Sequence, residues 1–156
     1  MYKKILAPLD GSELAECSLQ HVRAVAAGCQ VPEVVLLRVV EPMSSLAYAA
    51  YAETNGEWLA QTEEEEKARA RDYIEKMAVR LKKEGIAAQA VVISGKAADE
   101  ILNYANKNQV ELIIMSTHGR SGISRWAFGS VADRIVRHAK IPVLIVSAPA
   151  CRISSP

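Results

Sequence analysis

Short apolar runs alternate with helical stripes along the chain. The run at 4–9 (Lys-Ile-Leu-Ala-Pro-Leu) reads as a strand and closes on Asp10-Gly11-Ser12. Gly11 marks a turn there, and Ser12 or Asp10 is suited to cap a helix with Glu13 and Glu16 in its first turn. Leu14, Ala15, Leu19, Val22 and Ala26 then recur at helical spacing as far as Gly28, a suitable stop. A β-branched-rich run at 34–40 predicts a second strand, ended by Glu41-Pro42. Residues 42–56 show no clean period; a long loop and a loose helical turn fit them equally. From 57 to 84 the pattern is helical, with Ala70, Ile74, Met77, Ala78 and Leu81 as the inward stripe. Glutamates at 63–66 near its start and Lys82-Lys83 near its end suit the helix macrodipole, and the glutamate run reads as a solvated face rather than a metal site.

Gly85 ends that helix. A third strand at 86–93 follows, weakened at its front by Ala87, Ala88 and Gln89, and Ser94-Gly95-Lys96 turns into a helix at 98–107. A fourth strand at 111–115 leads into a small-polar turn, Ser116-Thr117-His118-Gly119. Gly129-Ser130 then opens a helix carrying Val131, Ile135, Val136 and Ala139, and a last strand occupies 141–147, with residues 148–156 as a frayed tail. Strands that read as unbroken apolar runs, alternating with helices, predict an α/β fold: a doubly wound parallel sheet covered on both faces. Right-handed crossovers favour five strands in the order 3-2-1-4-5. At 156 residues, one domain is expected, spanning 1–156.

Composition narrows the function classes. The chain is half hydrophobic and a quarter charged, with a net charge of +1, so no overall field argues for nucleic acid or an acidic membrane surface. No apolar stretch approaches the roughly 20 residues of a membrane span. Cys17, Cys29 and Cys151 form an odd set without CxxC spacing, as expected of free thiols in a reducing compartment. A cytoplasmic location is the expectation.

Ligands of such a sheet bind beyond the carboxyl ends of the strands where the winding reverses. In this order that crevice lies between the first and fourth strands, flanked by Pro8-Leu9-Asp10 and by Met115-Ser116-Thr117-His118-Gly119, with Gly129-Ser130 beside it. Gly119 and Gly129 permit close backbone approach. Ser130, Val131 and Ala132 are first-turn residues whose N–H groups lack intrahelical partners, which suits an anion. Asp10 is placed to accept from ribose hydroxyls, and Arg120 and Arg125 to screen phosphate charge. Ser130-x-x-Asp133 approaches a capping box. Each residue also has a plainer reading: Asp10 and Ser130 as helix caps, His118 as a surface histidine, Trp126 and Phe128 as packing residues.

Several enzyme classes fail on sequence. Lys96 is followed by Ala97 and position 90 is Ala, which excludes a Walker A loop. There is no G-x-G-x-x-G after the first strand, no G-x-S-x-G elbow, no H-E-x-x-H and no Cys/His ligand cluster. The third strand ends on Ile93-Ser94, without the aspartate of a phospho-receiver. No catalytic constellation emerges.

Taken together, residues 4–12 (KILAPLDGS), the run 36–40, Ser116-x-x-Gly119-x₉-Gly129-Ser130 and PVLIV at 142–146 resemble the universal stress proteins over essentially the whole chain. The family's G-x-x-G-x₉-G-[S/T] motif marks its nucleotide-binding branch. This sequence keeps its second and third glycines and its serine, with Ser116 in place of the first glycine. The resemblance implies that Asp10 and the Val39 backbone hold ribose and adenine, with Pro8 and Met115 lining the pocket beside Leu9 of the crevice described above. Ser116, Gly119, Gly129, Ser130 and Val131 would then take the phosphates of ATP or AMP, with or without Mg²⁺, and Arg120 would screen their charge. It further implies a homodimer through the last strand, whose apolar edge would otherwise stay unpaired. Three readings stay open: a nucleotide-responsive stress-response module, a slow ATP hydrolase or adenylyl- or phosphoryl-transferring enzyme (self-phosphorylation at Ser130 included), and a nucleotide-free dimeric interaction protein.

Overall fold

The computed structural model describes residues 1–43, 45–117 and 129–147. Five parallel strands form one sheet: β1 (Lys4–Pro8), β2 (Glu33–Val40), β3 (Ala88–Ser94), β4 (Leu112–Ser116) and β5 (Val143–Val146). Their spatial order is β3-β2-β1-β4-β5, as the alternation of strands and helices predicts. β1 is the hub, with Leu6 opposite Val35 on one side and Ile113 on the other.

Helices cover both faces, so the central strands carry apolar residues at odd and even positions alike. On one face, Ile5, Ala7, Val34, Leu36, Leu112 and Ile114 pack under α2 (Ser18–Gly28) and α3 (Ser45–Lys83) through Leu19, Val22, Ala26, Ile74, Ala78 and Leu81. On the other, Leu6, Val35, Leu37, Val39, Ile113 and Met115 pack under α4 (Ala97–Lys107) and α5 (Ser130–His138) through Ala98, Ile101, Ala105, Ala132 and Ile135. Each fully buried Leu or Ile contributes about 1.5–3 kcal/mol.

The ends of the elements follow local chemistry. Gly11, at φ 86°, turns the chain off β1, and Ser12 caps the short helix α1 (Glu13–Glu16) by accepting from the Ala15 N–H at 3.1 Å. The helix expected over 12–28 is therefore present as α1 and α2, joined through Cys17, which keeps right-handed helical angles. It ends at Gly28, the expected stop, with Cys29 as its C-cap, and the left-handed turn falls on Gln30, at φ 49°. Gly85, at φ 82°, ends α3 as expected. Residues 45–56, for which the sequence showed no period, begin α3, a helix of 39 residues.

The cysteine expectation needs correcting. Cys29 is a free thiol, but Cys17 is disulfide-bonded. An odd cysteine count without CxxC spacing does not exclude a bridge between distant positions, and the redox argument for a reducing compartment loses its basis. Cys151 and the tail at 148–156 lie outside the described residues. Among the described residues, no helix is long and apolar enough to cross a membrane.

α3 is tied to the end of α1 by Tyr73, whose hydroxyl donates to Glu16 Oε1 at 3.1 Å. Burial, the Glu16 charge and that hydrogen bond raise the Tyr73 phenol well above its usual range; Asp10 adds to the rise and Arg38 opposes it. A raised folded-state pKa means the folded state holds its proton more tightly. The Tyr73 contribution is thus complete below the unfolded value of about 10 and is lost as pH rises above it. Tyr73→Phe is expected to cost about 1 kcal/mol at neutral pH. It should also flatten the fall in unfolding free energy above about pH 10 relative to wild type. Denaturant unfolding across the alkaline range checks this, and parallel profiles for the two proteins would contradict it.

Candidate functional site

The winding reverses between β1 and β4. From β1 the chain leaves toward α1 and α2 on one face; from β4 it continues toward α5 on the other. The strand ends part, and a cleft of about 400 Å³ opens there. Pro8, Leu9, Asp10, Val39, Met115, Ser116, Gly129, Ser130 and Val131, expected from the sequence, all line it. Gly119 and Arg120, with His118, Arg125, Trp126 and Phe128, lie outside the described residues.

Three elements supply the polar surface. The first is the turn after β1. Asp10 Oδ1 accepts from the Ser12 backbone N–H at 2.9 Å and from the Ser12 hydroxyl at 2.6 Å. The capping role weighed for Asp10 therefore falls to Ser12, and Asp10 lines the cleft.

The second is the exposed edge of β2 beyond β1. Leu37 C=O accepts from Leu9 N–H at 2.9 Å, so the Leu37 backbone faces β1. By strand alternation, the N–H and C=O of Val39 face the same way, into the space left where β1 turns off at Gly11. One donor and one acceptor thus stand side by side at the cleft wall.

The third is the start of α5. Gly129 is its N-cap and brings no side chain of its own to cap it. The capping box suggested by Ser130-x-x-Asp133 is not formed: Asp133 pairs instead with Arg137 at 2.9 Å, one turn on. Gly129 N–H is used by Thr117 C=O at 2.8 Å, and Asp133 N–H by Gly129 C=O at 2.9 Å. Between them, Ser130, Val131 and Ala132 present first-turn amides at the positive end of the helix macrodipole. Thr117 N–H donates to Val146 C=O at 3.0 Å, so Thr117 ties the carboxyl end of β5 to the start of α5.

The remaining wall is apolar on the α4 side, from Leu37, Ala97 and Ile101. These residues belong to the inward stripes of β2 and α4, and their place at the cleft follows from the fold rather than from a motif. Arg38, Glu41 and Glu66 were not anticipated as lining residues. Glu41 Oε1 also accepts from Ala97 N–H at 2.9 Å and so caps α4 from the end of β2. Glu66 comes from α3, whose neighbours Glu64 and Glu65 pair with Arg71 and Arg69 on the exposed face. Among the described residues there is no group of three His, Cys, Asp or Glu side chains that could hold a metal ion.

Chemically, the cleft offers an apolar slot beside a donor–acceptor pair, a carboxylate, and the first-turn amides of a helix start. A planar base, a ribose and a phosphate match these in turn. The Ser116 side chain stands at the end of β4, where it is 6% exposed and opposite Val146.

Comparison with known proteins agrees with this architecture. The sequence model of the universal stress protein family matches residues 1–147. Universal stress protein MJ0531 of Methanocaldococcus jannaschii is 32% identical over 149 residues, covering 96% of this chain and 84% of that protein. The solved structure of MJ0577 from the same organism superposes with a TM-score of 0.80 at 29% identity, covering 94% of this chain and 96% of the other. A family protein from Arabidopsis thaliana with AMP bound shares the fold at a TM-score of 0.63 and 15% identity, covering 93% and 91% of the two chains. In sequence and in fold alike, the chain belongs to the universal stress protein family.

Proposed function

We propose that this protein binds an adenine nucleotide, ATP or AMP, in the cleft between β1 and β4 and acts as a nucleotide-responsive stress-response module. The observation that carries the reading is the α5 start, with a glycine as its N-cap, facing the same cleft as Asp10 and the Val39 backbone. The AMP carried by the Arabidopsis relative supports the ligand class. On this reading the Val39 N–H and C=O meet the base edge, and Pro8, Leu9 and Met115 line its slot. Asp10 accepts from the ribose, and Gly129, Ser130 and Val131 meet the phosphates together with Ser116, Gly119 and Arg120. Mg²⁺ would be held through the phosphates, since the cleft offers no ligand cluster of its own among the described residues.

Gly129 has φ −59° and ψ 152°, angles open to any residue, so its value lies in the room it leaves for a phosphate. Calorimetry with ATP and AMP, with and without Mg²⁺, tests the reading. Wild type should bind, and Asp10→Ala should weaken binding about tenfold or more through loss of a charged acceptor. Gly129→Ala should unfold within about 1 kcal/mol of wild type yet lose most of its affinity. Wild type that binds neither nucleotide would favour the nucleotide-free interaction protein. Steady ATP turnover that Asp10→Ala abolishes while binding persists would favour the enzyme.

The same reading includes a cytoplasmic homodimer formed by antiparallel pairing of β5 across a two-fold axis. β5 pairs with β4 on one side and is the sheet edge on the other. Leu144 on it is 38% exposed, and Val136 on the adjacent α5 is 45% exposed. An apolar edge of this kind is commonly covered by a second chain. Light scattering should give a dimer mass for wild type and a monomer mass for Leu144→Lys; a wild-type monomer at micromolar concentration would contradict the pairing.

A further inference from the structure

We infer that Ser12 is the positioning residue of the ribose site: it fixes the Asp10 carboxylate and thereby sets the preference for a hydroxylated sugar. The inference rests on the nucleotide reading and gives the turn after β1 a task beyond helix capping.

The geometry is specific. A serine hydroxyl has a single proton, and here it is donated to Asp10 Oδ1 at 2.6 Å. Its lone pair meanwhile accepts the Ala15 N–H from the first turn of α1 at 3.1 Å. The hydroxyl is thus a relay, drawn toward α1 on one side and toward Asp10 on the other. The Ser12 backbone N–H donates to the same carboxylate oxygen at 2.9 Å, so one residue holds Oδ1 twice. Gly11 makes this possible: its φ of 86° folds the chain so that both donors of Ser12 return onto Asp10. A carboxylate gripped through one oxygen by two converging donors cannot rotate freely about its Cβ–Cγ bond.

The frame behind the turn is also fixed. Glu16, one turn beyond Ser12, receives the Tyr73 hydroxyl, which anchors α1 to α3. A capping serine needs only the contact to Ala15 N–H; the two contacts to Asp10 add nothing to the helix. Their effect is on an aspartate that lines the cleft. An acceptor held in one orientation discriminates sugars more sharply than a mobile one, because its orientational entropy is spent before the ligand arrives.

The test compares AMP with 2′,3′-dideoxyAMP by calorimetry on wild type, Ser12→Ala, Ser12→Gly and Ser12→Thr. Glycine serves as an N-cap nearly as well as serine and lacks the hydroxyl, so it separates capping from positioning. Threonine keeps the hydroxyl. Wild type should favour AMP by about tenfold or more, the worth of a hydrogen bond to a charged acceptor. Ser12→Ala and Ser12→Gly should bring the ratio of the two dissociation constants close to one, and Ser12→Thr should restore it. Ser12→Gly should do so with little change in Tm, which a purely structural role would not allow. Should Ser12→Gly keep the wild-type ratio, or wild type bind both nucleotides equally, the positioning role is overturned while nucleotide binding stands. If wild type binds neither, the nucleotide reading falls and this inference falls with it.

Discussion

Everything at the candidate site depends on the parting of β1 and β4. The two strands are neighbours in one parallel sheet, yet the segments that follow them leave toward opposite faces. No element can cover both strand ends, so a crevice at that point is a consequence of topology rather than of any single residue. The apolar packing that forces the arrangement lies on both faces of β1, and Ile5, Leu6 and Ala7 are fully buried. The cleft is thereby built on a fully buried strand at the centre of the sheet, and a regular element of that kind holds a binding geometry well.

Around the crevice, the Val39 backbone, Asp10 and the α5 amides are each supplied by the end of a regular element. The Val39 backbone faces it because β2 runs on after β1 has turned away. Asp10 sits in the turn that takes β1 out of the sheet, gripped by Ser12. The α5 amides stand at its rim because Gly129 starts the helix beside Thr117. A nucleotide would therefore meet groups whose positions are fixed before it arrives.

Much of this was legible in the sequence, for a physical reason. Strands buried on both faces leave unbroken apolar runs, and alternation with helical stripes then restricts the topology to very few orders. Pro8 to Asp10, Met115 to Thr117 and Gly129-Ser130 followed from that order as cleft residues, while Val39 followed from the family resemblance. What was not legible had no local signal. Residues 45–56 showed no period although they are helical, and from Leu59 to Ala70 no intervening position of α3 is buried, so the helix has no inward stripe to display. Glu66 could not be placed at the cleft without that helix. The Ser130-x-x-Asp133 pattern misled because Asp133 had a competing partner one turn ahead in Arg137. The Cys17 disulfide depends on a spatial pairing that spacing does not encode.

The central claim is that the ends of β1, β2 and β4 and the start of α5 form one adenine-nucleotide site. Backbone amide NMR during titration with AMP tests it most directly, because it reads every element at once. The account predicts the largest shifts at Asp10, Val39, Ser116, Ser130 and Val131, with the α3 amides at 70–83 nearly unmoved. Shifts absent from both the Val39 and the Ser130–Val131 amides, or centred on the outer edge of β5, would contradict it.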